Sequence, residues 1–247
     1  LSSAENNTAV GLGSLDAITS GDDNTALGKD SLTALTTGSN NTAVGKFALQ
    51  GVTNNSFSNN TAVGYNSLKL VSTSEGHTAI GAGALHSIQA GSTNTAVGVN
   101  TLYQNSSGNS NVAIGYYAGF IGSAKTENVV IGYNAGYNAT GSYNTFVGSN
   151  AGKGGTTSAP YSSGQYNVAM GNQALENFTT ANYNTAIGHQ SGEAITTGTG
   201  NTFLGFRAGI TATAADYSVG IGYGALGDAT LTGNYNIGIG LNAGMDL

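Results

Sequence analysis

The sequence predicts an all-β protein, a parallel β-solenoid of about fourteen coils, on three observations. A five-residue phrase, Asn-Thr-Ala-Val-Gly or a close variant, returns fourteen times. Its glycines are Gly11, Gly28, Gly45, Gly64, Gly81, Gly98, Gly115, Gly132, Gly148, Gly171, Gly188, Gly205, Gly222 and Gly240, most often 17 residues apart. The same residue types also occupy the same offsets from each glycine. Self-similarity at a fixed period makes each copy one equivalent turn stacked on the next.

The strand comes first. With each repeat glycine as position zero, minus one is aliphatic or Met in all fourteen copies, from Val10 to Ile239, and minus three is β-branched in all fourteen, from Thr8 to Ile237. Positions two apart share one face of a strand, and β-branched residues suit that pleated surface. Between them, minus two is Ala in nine copies, and zero is always Gly. A column of Ala and Gly admits a closely approaching backbone or marks a bend where no Cβ fits. Two readings stay open: the glycine turns the chain, or this small face lines a symmetry axis between chains.

Minus four is Asn in twelve copies, replaced by His77 and Ser218 in the others. Stacked Asn side chains can bond to their equivalents above and below, so this column predicts a structural ladder. Past the glycine, plus three is Ala, Ser or Thr, and plus four is Leu in eight copies and Gly in six. The leucines are expected to fill the interior. Where Gly stands instead, other volume has to replace them. Tyr at minus five (Tyr143, Tyr166, Tyr183, Tyr217, Tyr235) is the expected replacement. Glycines at minus seven, such as Gly21, Gly38, Gly91 and Gly108, predict an outer turn with positive φ. The extra residues collect near there: two beside Asn54 and Asn55, and six within Lys153–Gly164, which holds the one proline.

The whole chain, residues 1–247, reads as a single repeat domain, roughly 65 Å long at about 4.8 Å per coil. Charged residues make up 7 % of it and the net charge is −6, so nucleic acid and anionic membrane are not expected partners. No apolar run is long enough to insert in a bilayer. Cysteine is absent, so disulfides cannot supply stability. The first phrase starts at Asn6 or Asn7 and the last ends near Gly244, which reads as an excerpt of a longer chain or a unit that assembles end to end.

No residue type converges as a catalytic, cofactor or metal site would require. His77, His86 and His189 lack an acidic or thiol companion at ligand spacing, and Asp22–Asp23 fits a solvated turn. Gly222-Tyr-Gly-Ala-Leu-Gly227 matches a dinucleotide fingerprint but is itself a copy of the repeat. Glu5, Glu75, Glu127, Glu176 and Glu193 form no recurrent pair for acid–base work. Sequons at Asn6, Asn59 and Asn177 follow from the abundance of Asn and Thr. Tyr65, Tyr116, Tyr133, Phe206 and Tyr223, all at plus one, can stack on sugars, anchor a partner or pack between coils. Tyr103, Tyr117, Tyr137 and Tyr161 lie at other offsets.

Two stretches carry a family resemblance. Asn41-Thr-Ala-Val-Gly-Lys-Phe-Ala-Leu49 and Asn60-Thr-Ala-Val-Gly-Tyr-Asn-Ser-Leu68 resemble the repeats of viral and phage tail-fibre proteins, which often precede an endosialidase-type chaperone domain. Val112-Ala-Ile-Gly-Tyr-Tyr-Ala118 is similar to the head repeats of trimeric autotransporter adhesins, whose repeats are shorter. The resemblance implies a left-handed parallel β-roll, a homotrimer around an axis, and a place in a virion appendage or on a cell surface. The expected function is a non-enzymatic fibre segment that projects or forms a receptor-binding surface, with a cell-surface receptor or glycan as a further partner. The alternatives are an adhesin head, a self-assembling extracellular filament, an ice-binding solenoid and a polysaccharide-cleaving solenoid. Ice faces usually need two adjacent exposed rows, and Thr here alternates with Val as a buried position would. The polysaccharide-cleaving reading lacks a carboxylate cluster.

Overall fold

A computed structural model describes residues 3–52, 55–155, 161–227, 231 and 233–244. The protein is an all-β solenoid of fourteen three-residue strands, divided into two compact units, Leu1–Thr126 and Glu127–Leu247. The first unit holds β1 (Thr8–Val10), β2 (Thr25–Leu27), β3 (Thr42–Val44), β4 (Thr61–Val63), β5 (Thr78–Ile80), β6 (Thr95–Val97) and β7 (Val112–Ile114). The second holds β8 (Val129–Ile131), β9 (Thr145–Val147), β10 (Val168–Met170), β11 (Thr185–Ile187), β12 (Thr202–Leu204), β13 (Val219–Ile221) and β14 (Ile237–Ile239). Within each unit, consecutive strands pair parallel at equal offsets, as in Ala43↔Ala62 and Ala169↔Ala186.

Inter-coil bonding runs well beyond the three strand residues. The Gly64 N–H donates to the Val44 carbonyl at 2.8 Å, Gly83 N–H to Tyr65 at 2.9 Å, and Leu68 N–H to Ala84 at 3.0 Å. The turns between these bonds depend on left-handed backbone. At minus five, plus two and plus four, φ lies between 49° and 72° in every copy, whatever the residue. Leucines at plus four therefore hold a conformation that costs an L-residue about 1 kcal/mol, offset by complete burial of Leu32, Leu49, Leu68, Leu85 and Leu102.

The glycine at zero has the stricter requirement. Its φ is 124–141°, and a Cβ on Gly45 or Gly64 would sit 2.7–2.8 Å from the carbonyl carbon of the next repeat glycine. The chain bends there, and no side chain fits. The small face does not line an axis between chains: Ala26, Ala43, Ala62, Ala79, Ala96, Ala113, Ala169 and Ala186 are all fully buried inside their own coil. That column is core, and the β-branched and aliphatic columns point the other way.

The expected role of the minus-seven glycines is also corrected. Gly21, Gly38, Gly91, Gly108, Gly141, Gly164 and Gly198 are buried and do not adopt positive φ. A Cβ on any of them would strike a backbone carbonyl of the next coil, Gly38 on Gly21 and Phe57 on Gly38, so close approach is what excludes side chains there.

The missing leucine volume is filled from inside, not by the minus-five tyrosines, which are 42–73 % exposed. The Phe146 ring fills the space beside Gly136 and Gly152, and the Phe203 ring the space beside Gly192 and Gly209. Lys125 occupies the place beside Gly119. A further interior column stands seven residues past the glycine, with Leu35, Val71, Ile88, Phe178 and Ile195 fully buried. The six-residue insertion falls within Lys153–Gly164. Residues 156–160, with Pro160, lie outside the described residues, as does Asn54 of the shorter insertion.

Candidate functional site

The strand alternation that buries Ala turns minus three and minus one outward. Ile80, Ile114, Met170 and Leu204 are 40–43 % exposed. Beside them Thr42, Thr61, Thr78, Thr95 and Thr185 are partly exposed. Each strand thus carries an aliphatic row next to a Thr or Val row on its open face. The sequence reading treated alternation of Thr with Val as a mark of burial. Val112 and Val129 at minus three are 38 % and 36 % exposed, so both rows are open and that objection to an exposed two-row face fails. Side by side, the two rows form an ordered, partly apolar face along the strands of each unit.

Behind that face runs the Asn ladder, as expected. Asn41 Nδ2 donates to Asn24 Oδ1 at 2.9 Å and to the Phe57 carbonyl at 2.9 Å, and Asn41 Oδ1 accepts the Asn60 backbone N–H at 3.1 Å. Asn167, Asn184 and Asn201 repeat the pattern. His77 takes the same place with both ring nitrogens: Nδ1 accepts the Asn94 N–H at 3.1 Å, and Nε2 lies 2.9 Å from the Gly91 carbonyl. That fixes the neutral tautomer with the proton on Nε2. Burial pushes its pKa down to about 4 despite those backbone bonds. Ser218 accepts the Asn236 N–H at 3.2 Å but reaches less far.

A second ladder runs at minus six, which the sequence reading did not single out. Asp22 Oδ1 accepts the Glu5 N–H, Ser39 Oγ the Asp22 N–H, Asn182 Oδ1 the Gln165 N–H and Asp216 Oδ1 the Thr199 N–H, at 2.7–2.9 Å. The signal was present, because every residue at that offset carries a side-chain oxygen. This assigns Asp22 to backbone bonding.

The aromatics are ordered in rows on the outside. Tyr143, Tyr166 and Tyr183 stack at 4.9 and 5.0 Å with planes within 3° of parallel. Tyr217 and Tyr235 stack at 5.5 Å, and Phe206 and Tyr223 at 4.8 Å. His189 lies 5.4 Å from Phe206, and His86 stacks on Tyr103 at 4.5 Å. Tyr65, Tyr116 and Tyr133 are about half exposed.

Among the described residues, no three His, Asp or Glu side chains gather as a metal site, and no helix is long and apolar enough to cross a membrane. Glu176 and Glu193, scattered in the sequence reading, fall on successive coils. Burial and then the Glu176 charge hold the Glu193 carboxyl above its usual range, while Glu176 is bound by Lys153 at 3.3 Å and Gln173 at 2.8 Å. The glycine-rich stretch from Gly222 follows β13 as an ordinary turn of the repeat. Compared with known proteins, the chain matches no family model and no curated protein.

Proposed function

We propose that this chain is a non-enzymatic structural and adhesive segment of an extracellular or virion fibre. Three copies associate as a left-handed β-roll through their outward strand faces. The observation that carries the reading is the pair of half-open rows, Thr or Val beside Val, Ile, Leu or Met, on a single chain whose small residues are already consumed in its own core. Ile80, Ile114, Met170 and Leu204 have about two fifths of their area left to bury, so covering each contributes on the order of 1 kcal/mol, and less at the partly exposed Val44, Val63, Val97 and Val147. The tail-fibre-like phrases at Asn41–Leu49 and Asn60–Leu68 support the same reading.

Multi-angle light scattering tests it. The expected mass is three times the 24.5 kDa of one chain, falling to one chain mass when Val97→Lys and Val147→Lys place charges on the outward face. A wild-type chain that stays at 24.5 kDa at every concentration overturns the trimer.

A second reading rests on the same face. Two adjacent outward rows, one of hydroxyl-bearing Thr42, Thr61, Thr78 and Thr95 and one aliphatic, are the arrangement an ice-binding solenoid uses. Thermal hysteresis from a monomeric chain favours that reading. Its absence leaves the face to chain–chain contact.

A further inference from the structure

The first unit gathers cations and rings along one edge, built from residues just past the repeat glycine. Lys46 Nζ lies 4.7 Å from the Phe47 ring centroid, and Lys69 Nζ, one coil on, 5.1 Å from the same centroid. Two ammonium groups thus converge on one ring. Among the described residues neither has a carboxylate partner, since the ion pairs are Lys29–Asp30 and Lys153–Glu176. Asp30, one coil back in the column of Phe47, is taken by Lys29 at 3.8 Å, and its carboxylate lies against Gly13. The like charge is felt further along, because the His86 pKa is lowered by burial and then by Lys69.

Phe47 is itself costly. It sits at φ 60°, where most other copies place Asn, Gly, Asp or Gln and two place Tyr117 and Arg207, so a ring there gives up roughly 1 kcal/mol of backbone energy. Tyr65 stands beside it, 6.2 Å away and tilted by 53°, with 53 % of its surface open. The plus-five column that holds Lys69 goes on through His86, Tyr103 and Phe120, stacked at 4.5 and 5.4 Å between rings.

We infer that this edge binds a carboxylated carbohydrate, with Lys46 and Lys69 sharing a carboxylate and the open Tyr65 ring taking the apolar face of a sugar. Unpaired ammonium groups beside an exposed ring meet both needs of a uronate- or sialate-type unit. An acidic peptide lacks the second half of that match. It would also find no strand edge to pair with, because the local backbone donors are committed between coils: Asn66 N–H to the Lys46 carbonyl at 3.2 Å, Gly83 N–H to Tyr65 at 2.9 Å. Every group involved belongs to one chain, so this inference goes beyond the fibre reading and does not depend on the trimer.

Isothermal titration of the intact chain tests it with tetragalacturonate, tetrameric α2,8-sialate, the methyl ester of the galacturonate, and a hexaglutamate peptide. At least one acidic tetrasaccharide is expected to bind, more weakly as salt rises. Affinity should drop by about tenfold or more in K46Q/K69Q, with a similar loss in Y65A. The methyl ester of a bound galacturonate should lose at least as much. Lys153→Gln, in the second unit, should leave affinity unchanged. The inference is overturned if neither acidic tetrasaccharide binds, if K46Q/K69Q binds as well as wild type, or if hexaglutamate binds equally tightly. Circular dichroism of each variant confirms the fold. Light scattering on the same samples reports assembly separately, so loss of glycan binding and loss of the trimer are told apart.

Discussion

Asn41 is among the most fully bonded members of the ladder, and replacing it with alanine removes a known set of contacts. Its Nδ2 serves Asn24 Oδ1, the Phe57 carbonyl and the Ser39 carbonyl at 2.9, 2.9 and 3.2 Å, and its Oδ1 accepts the Asn60 N–H and Nδ2 at 3.1 and 3.2 Å. Asn24 Oδ1 keeps a donor in the variant, because the Asn41 backbone N–H also reaches it, at 3.0 Å. The Phe57 carbonyl and the Asn60 N–H do not. Two buried groups left without partners cost about 1–3 kcal/mol each, so Asn41→Ala should lose about 2–5 kcal/mol. Asn41→His should lose much less, because His77 already serves both neighbours from this position. Guanidinium unfolding followed by circular dichroism measures the loss, and hydrogen exchange at the Asn60 amide localises it. A loss under about 1 kcal/mol, or an Asn60 amide exchanging as slowly as in wild type, would refute the view that the ladder holds the coils in register.

The remaining predictions concern the interior. His77 has a folded-state pKa of about 4 against 6.5 for the free side chain, so the unfolded chain binds the extra proton between those values. Stability is full above pH 6.5 and falls as acid approaches 4, by up to about 3 kcal/mol, and the difference between wild type and His77→Asn across that window should isolate it. Burial likewise lowers Lys125 to about 7, its ammonium bonded, among the described residues, to the Gly119 and Ile121 carbonyls. Lys125→Met should therefore raise the unfolding midpoint below pH 7, by about 1–2 kcal/mol, with the gain shrinking toward pH 10.5 as the wild-type penalty disappears. Phe203→Ala should cost about 3–5 kcal/mol in the same unfolding assay, and adding Gly209→Leu, which restores the Ala-and-Leu coil of Ala62 and Leu68, should recover part of it.

The period, the strand and the Asn column were legible because each depends on residue type at a fixed offset. The facing of the strand was not. Alternation says that Thr42 and Val44 share a side and Ala43 takes the other, but the inside of a coil already filled by a plus-four leucine has room only for the smaller side chain. Size decided the matter, against the habit of placing Val and Ile inside. Three left-handed positions in each coil were hidden for a related reason, since leucine, tyrosine and phenylalanine seldom mark such φ values. The replacement of leucine by Phe146 and Phe203 could have been found, because the minus-two column stops being Ala in those coils. The convergence of Lys46 and Lys69 on Phe47 could not, because 23 residues separate the lysines and only the coil path brings plus five of one copy onto plus two of another.

The most direct measurement uses the absence of native cysteine. Ala79→Cys and Ile80→Cys place a thiol at neighbouring positions of β5, one fully buried and the other 41 % exposed in the single chain. On dilution to single chains, the thiol at 80 should react with maleimide at the rate of a free thiol and become protected as the chains assemble. The thiol at 79 should stay unreactive in both states until denaturant is added. Equal labelling at 79 and 80 in the folded chain, or protection at 80 that never responds to concentration, would contradict the account.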